Sequence, residues 1–168
     1  MNVRLRSWTL TVYVHPSSHA AYYPGAKPIA LKLLFNDEGK ILGAQAFGEE
    51  GVDKRIDVIA TTLRMNGTVE DLTELELTYA PPFSSAKDPV NMIGYLAQNV
   101  LSGRTEVATL KELEFLDPER HILLDVRTKA EYHQGHIEGA LHFRSMSHAA
   151  EERNSIKGKK SMLTAPLV

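Results

Sequence analysis

Three groups of side chains in this sequence have types and spacings that could do chemistry. Tyr22, Tyr23 and Tyr79 lie in stretches broken by proline and glycine, with His19 and Lys87 near them in the chain. A phenol combines an apolar ring with an O–H, so such tyrosines either fill an interface or present a donor to a reacting group. Residue type alone favours interface filling, and His19 and Lys87 alone read as solvated loop charges. His133 and His136 stand beside Glu131 and Glu138. These residue types hold zinc, but a third ligand is not evident, and we expect no metal. Ser84 and Ser85 precede Lys87; without a nucleophile-elbow glycine or an assignable histidine partner, a serine nucleophile is discounted. The 168 residues contain no cysteine, which excludes disulfides, thiolate metal sites and cysteine nucleophiles within them.

Composition narrows the classes further. Hydrophobic residues make up 43% and charged residues 24%, with a net charge of −2. That is ordinary for a soluble globular protein and gives no ground for expecting nucleic acid or a membrane surface as a partner. No stretch is apolar enough to span a bilayer, the N-terminus does not read as a signal peptide, and we expect a cytoplasmic chain.

The elements that must position these residues follow from periodicity. Residues 7–14 read as a strand, and residues 28–35 and 40–47 as two strands of a hairpin turning on Asn36-Asp37-Glu38-Gly39. Val52, Ile56, Ile59 and Leu63 share one helical face. Thr68 caps a second short helix over 69–75 with Asp71 three residues on. Asp88-Pro89 opens a third, with Ile93, Leu96, Ala97 and Val100 as its stripe. A domain boundary is expected at about Gly103. Beyond it come a short helix over 109–116, a buried strand over 122–126, a helix over 128–134 with Thr128 and Glu131 as capping box, and a strand over 137–143. Residues 144–168 are polar and basic, and we expect no regular order there.

Two stretches carry a resemblance. His15-Pro16-Ser17-Ser18-His19-Ala20-Ala21-Tyr22-Tyr23-Pro24-Gly25-Ala26 and residues 77–92, with Tyr79-Ala80-Pro81-Pro82-Phe83-Ser84 at their heart, resemble the C-terminal dimerisation domain of coenzyme A-disulfide reductases and related persulfide reductases and NADH oxidases. The likeness runs from about Val14 to Gly103. Leu124-Asp125-Val126-Arg127, Glu131-Tyr132 and Gly135-His136-Ile137-Glu138-Gly139-Ala140 resemble the first half of a rhodanese domain.

The resemblance implies an α+β dimerisation domain over 1–103, an antiparallel sheet with helices on one side, followed by an incomplete α/β rhodanese-like segment over 104–143. It implies a homodimer, FAD and NAD(P)H as cofactors of the full-length parent, and coenzyme A disulfide or a persulfide as its substrate. It further implies that Tyr22, or its neighbour Tyr23, and Tyr79 act in trans on the partner's cysteine–coenzyme A disulfide. Lys87 and His19 are weaker candidates for coenzyme A or flavin contacts, and Arg127 for a charge-assisted pair at the strand end.

Departures from the families shape the expectation for the chain itself. No G-x-G-x-x-G phosphate loop occurs, and the redox and sulfur-carrying cysteines of the two families are absent. Residues 1–12 and those after Phe143 look unlike either family, as a frameshifted or truncated gene product would. We therefore expect a chain that binds no cofactor and is inactive alone, with an open edge strand near 122–126 favouring aggregation. The alternatives are a stand-alone dimerising interaction module and, less favoured, a sulfurtransferase.

Overall fold

The computed structural model describes residues 9–108, 110–113, 115, 117, 119–142 and the backbone of 160–164. The chain divides into two compact units, one ending at Val107 and the other starting at Ala108.

The first unit is an antiparallel sheet, β1 (Leu10–Val14), β2 (Ile29–Phe35) and β3 (Ile41–Gly48), in the order β1-β2-β3. Alternation sets its faces. Ile29, Leu31, Leu33 and Phe35 of β2 are all buried, and Val12 of β1 lies opposite Leu33 on the same side. The reverse face is open to solvent: Tyr13 is exposed and Phe47 is 81% exposed. The hairpin turns where expected. Gly39 takes a positive φ of 82°, and the Asn36 side-chain oxygen accepts from the backbone N–H of Lys40 at 2.8 Å. A bulge between Leu34 and Phe35 then pairs Phe35 with Ile41.

Three helices cover the buried face: α1 (Val52–Arg64), α2 (Val69–Glu74) and α3 (Pro89–Leu101). Ile59, Leu72, Val90, Ile93 and Ala97 join the strand residues in one core. The two expected caps form. The Asp71 N–H donates to Thr68, and the Val90 N–H donates to the Asp88 carboxylate at 3.0 Å. Asn91 ties the helices together, its amide donating to the carbonyls of Leu72 and Leu75 at the end of α2.

Helices α2 and α3 approach closely because Gly94 has no side chain. A Cβ there would lie 2.9 Å from the Leu72 Cβ and 3.1 Å from the Thr73 Cγ2. Gly94→Ala is therefore expected to destabilise the first unit by about 1–3 kcal/mol through overpacking, despite alanine's better helix propensity. Urea unfolding followed by circular dichroism checks this; a neutral or stabilising effect would refute the close-packing account.

The second unit contains α4 (Leu110–Leu113), β4 (His121–Asp125), α5 (Lys129–Gln134), β5 (Leu141–His142) and β6 (Lys160–Thr164). Its strands are parallel in the order β5-β4-β6. The Thr128–Glu131 capping box opens α5 as expected. Two expectations need correction. Residues 160–164, placed in a stretch without regular order, form β6; residues 143–159 and 165–168 lie outside the described residues. As a result β4 is paired on both sides rather than left as an open edge, because β6 saturates its second row of backbone groups. The strand expected over 137–143 is shorter, Leu141–His142, and Phe143 lies outside the described residues.

Candidate functional site

Two irregular loops of the first unit form the site. One links β1 to β2, and the other links α2 to α3. Their prolines limit regular pairing: the first loop closes in a single antiparallel bridge between Ser17 and Pro28, and hydrogen bonds outside any strand hold the second. Within the first loop, the Ser18 N–H donates to the Lys27 carbonyl at 2.7 Å and the Ile29 N–H to the Pro16 carbonyl at 2.8 Å. Within the second, the N–H groups of Phe83 and Ser84 both donate to the Ala80 carbonyl. The loops join where the Ala20 N–H donates to the Ser84 carbonyl at 3.0 Å and, less closely, to that of Pro81.

This junction brings Tyr22 and Tyr79 together. Their hydroxyls are 3.1 Å apart, 57 residues distant in sequence. Both side chains are exposed, Tyr22 by 76% and Tyr79 by 47%. The hydrogen bond with Tyr79 holds the Tyr22 phenol above the ordinary tyrosine value, with smaller upward contributions from partial desolvation and from repulsion by Tyr79. Two phenols joined by one hydrogen bond retain a second O–H that can point outward, and polarisation through the pair strengthens it as a donor.

Tyr23 does not share this contact; its ring meets the edge of His19 at 5.8 Å between centroids. His19 is buried, with Nδ1 3.2 Å from the Ala20 carbonyl oxygen. Lys87 is exposed, its ammonium 5.5 Å from the centre of the Tyr95 ring. Of the four residues singled out, the structure therefore brings Tyr22 and Tyr79 together and places His19 and Lys87 in other contacts.

Beneath the loops lies a group that sequence reasoning missed. Arg55 of α1 is buried and paired with Asp88, with side chains only 1% and 2% exposed. Its guanidinium donates to both Asp88 oxygens, to the carbonyls of Ser18 (2.8 Å) and Gly51 (3.0 Å), and weakly to the Ser84 hydroxyl. Ser84 in turn donates to Asp88 at 2.6 Å. One signal was available: Arg55 lies three residues after Val52 and four before Ile59, on the inward face of α1.

In the second unit, Arg127 grips Asp125 in a bidentate pair, Nε to Oδ1 at 3.0 Å and Nη2 to Oδ2 at 2.6 Å, and also donates to the Gly135 carbonyl. The hydrogen bonds from Arg127 hold the Asp125 carboxyl below the usual carboxylate range. His136 stacks on Tyr132 at 3.8 Å, and its Nδ1 lies 3.0 Å from the Tyr132 carbonyl oxygen. Among the described residues no three histidines or carboxylates gather as a metal site. None of the described helices is long and apolar enough to cross a membrane.

The turn between β4 and α5 does not fit the phosphates of a dinucleotide. Its residues, Val126-Arg127-Thr128, include no glycine, and the Glu131 carboxylate already occupies the backbone N–H of Thr128 at 2.8 Å. A phosphate there would meet a side chain and a like charge.

Comparison with known proteins agrees with both units. The model for the pyridine nucleotide-disulphide oxidoreductase dimerisation domain matches residues 5–89, and that for the rhodanese-like domain matches residues 107–165. The ends expected to look foreign, residues 1–12 and those after Phe143, thus fall largely inside the two matches. A coenzyme A disulfide reductase from Staphylococcus epidermidis is 50% identical over 88 residues, 52% of this chain and 20% of that protein. Among solved structures, reduced CoADR-RHD from Bacillus anthracis is 43% identical with a TM-score of 0.86, covering 94% of this chain and 28% of that one. The NAD-dependent persulfide reductase from A. fulgidus is 33% identical with a TM-score of 0.78 over the same shares. The chain thus spans about a fifth of the curated relatives and just over a quarter of these structures. This chain belongs to the pyridine nucleotide-disulphide oxidoreductase dimerisation-domain family, and a rhodanese-like domain follows that domain.

Proposed function

We propose that the first unit supplies the homodimer contacts of an FAD-dependent, NAD(P)H-linked reductase of coenzyme A disulfide or a persulfide. On this reading the Tyr22–Tyr79 pair reaches the reacting sulfurs of the partner subunit. The observation that carries it is the hydrogen-bonded pair of exposed phenols, presented at 3.1 Å by two loops distant in sequence. Reducing a disulfide expels a thiolate, and an O–H aimed at that sulfur stabilises the charge as it develops. The names of the relatives support the substrate class.

FAD and NAD(P)H would supply hydride and electrons, held by residues other than these 168, and this chain alone would neither bind them nor turn over substrate. The test is a chimera in which residues 9–103 replace the matching stretch of the S. epidermidis coenzyme A disulfide reductase. A dimer that oxidises NAD(P)H with coenzyme A disulfide supports the proposal; a monomer, or a dimer without turnover, sinks it. The purified 168-residue chain should show no such turnover.

A further inference from the structure

We propose that Arg55, on α1 and away from the exposed surface, is a positioning residue for the Tyr22–Tyr79 pair. This deepens the tyrosine-site reading and rests on it for its functional meaning. Both phenols are exposed, and a single neutral hydrogen bond in water contributes too little to order two proline-broken loops. The order comes from the backbone bonds within and between the loops and from what anchors them below.

Arg55 is where the loops converge. Its Nη2 donates to the Ser18 carbonyl, four residues before Tyr22, and approaches the Ser84 hydroxyl, five residues after Tyr79. The same guanidinium is fixed by both oxygens of Asp88, the cap of α3, and by Gly51 at the start of α1. Gly51 takes a positive φ of 70°, and a Cβ there would lie 2.3 Å from the Arg55 Nη1, so the backbone is shaped around the guanidinium. A planar fork with five donors can reach both loops and the carboxylate at once; an ammonium cannot. Side-chain geometry on α1 is thereby transmitted to the phenols through Ser18 and through the Ala20–Ser84 junction.

The experiment uses the whole 168-residue chain with ring-labelled tyrosine, followed by NMR through an alkaline titration, the Tyr22 signal assigned with Tyr22→Phe. In the wild type Tyr22 should titrate above an ordinary phenol. In Arg55→Lys, folded by circular dichroism, that upward displacement should be lost, and in a Tyr79→Phe background Arg55→Lys should change nothing further. Ser84→Ala, which keeps the Arg55–Asp88 pair, should lose part of the displacement and serves if Arg55→Lys does not fold. A wild-type Tyr22 that titrates as an ordinary phenol overturns the inference. So does an unchanged Tyr22 in folded Arg55→Lys, or in Ser84→Ala where that variant must serve. If the titration moves as expected while tyrosine substitutions leave chimera turnover intact, positioning stands and the catalytic reading of the pair fails.

Discussion

Arg55→Met is expected to destabilise the first unit by about 3–5 kcal/mol, the cost of leaving a buried carboxylate without its partner. Asp88 is 3% exposed, and with Arg55 gone it keeps the Ser84 hydroxyl and the Val90 and Asn91 N–H groups of its cap but no positive charge. The Ser18 and Gly51 carbonyls also lose a donor. Methionine fills much of the volume, so the loss is electrostatic and hydrogen-bonding rather than a cavity. The companion change separates these causes. Asp88→Asn removes the charge but keeps an N-cap of equal quality. The double variant Arg55→Met/Asp88→Asn should therefore recover a large part of the stability lost in Arg55→Met, a strong coupling between neighbours. Urea unfolding of the four proteins measures it. An Arg55→Met cost below about 1 kcal/mol would mean that Asp88 finds water or another donor, and the pair would not be the anchor described here.

How far the sequence could be read depended on whether a feature was local. The hairpin at Gly39, the Thr68, Asp88 and Thr128 caps and the apolar faces of β2 and α3 rest on signals within a few residues, and each was legible. Arg55 was legible only as an inward position between Val52 and Ile59; its pairing was not, because the carboxylate folded against it lies 33 positions later. The choice between Tyr22 and Tyr23 stayed open for a similar reason: on an irregular loop no period assigns neighbours to sides, and only the fold shows that Tyr22 is the one in contact with Tyr79. Asp88 was read as a cap, which it is, while its second role as counter-ion was hidden by the first. Strand β6 escaped because Lys160-Ser161-Met162-Leu163-Thr164 is short and follows a polar, basic run; its place is set by pairing with β4, some 40 residues earlier. The likeness to two families fared better than periodicity here, since long motifs carry the tertiary context that single residues lack.

In the chimera with the staphylococcal reductase, Tyr79→Phe is expected to lower kcat with coenzyme A disulfide about 10²-fold, the effect of removing one preorganised donor to a developing anion. KM should change little, because the thiolate charge is absent in the bound ground state. Tyr22→Phe should fall in the same range. Tyr22→Phe/Tyr79→Phe should cost less than the product of the two, since the phenols act as one hydrogen-bonded unit. The pH profile adds a sign. The pair donates only while protonated, and Tyr22 is held above the ordinary tyrosine value by its hydrogen bond with Tyr79. Folding therefore favours the protonated phenol: its contribution is complete below the ordinary tyrosine pKa of about 10 and is lost as pH rises through the elevated one. If this step limits turnover, activity should hold its plateau past the ordinary tyrosine range before falling. In Tyr79→Phe the main cause of the elevation is gone, so the alkaline fall should begin at lower pH. Steady-state rates across the alkaline range in both single variants decide the matter. Unchanged kcat in both would remove the tyrosines from the chemistry and leave them as interface residues.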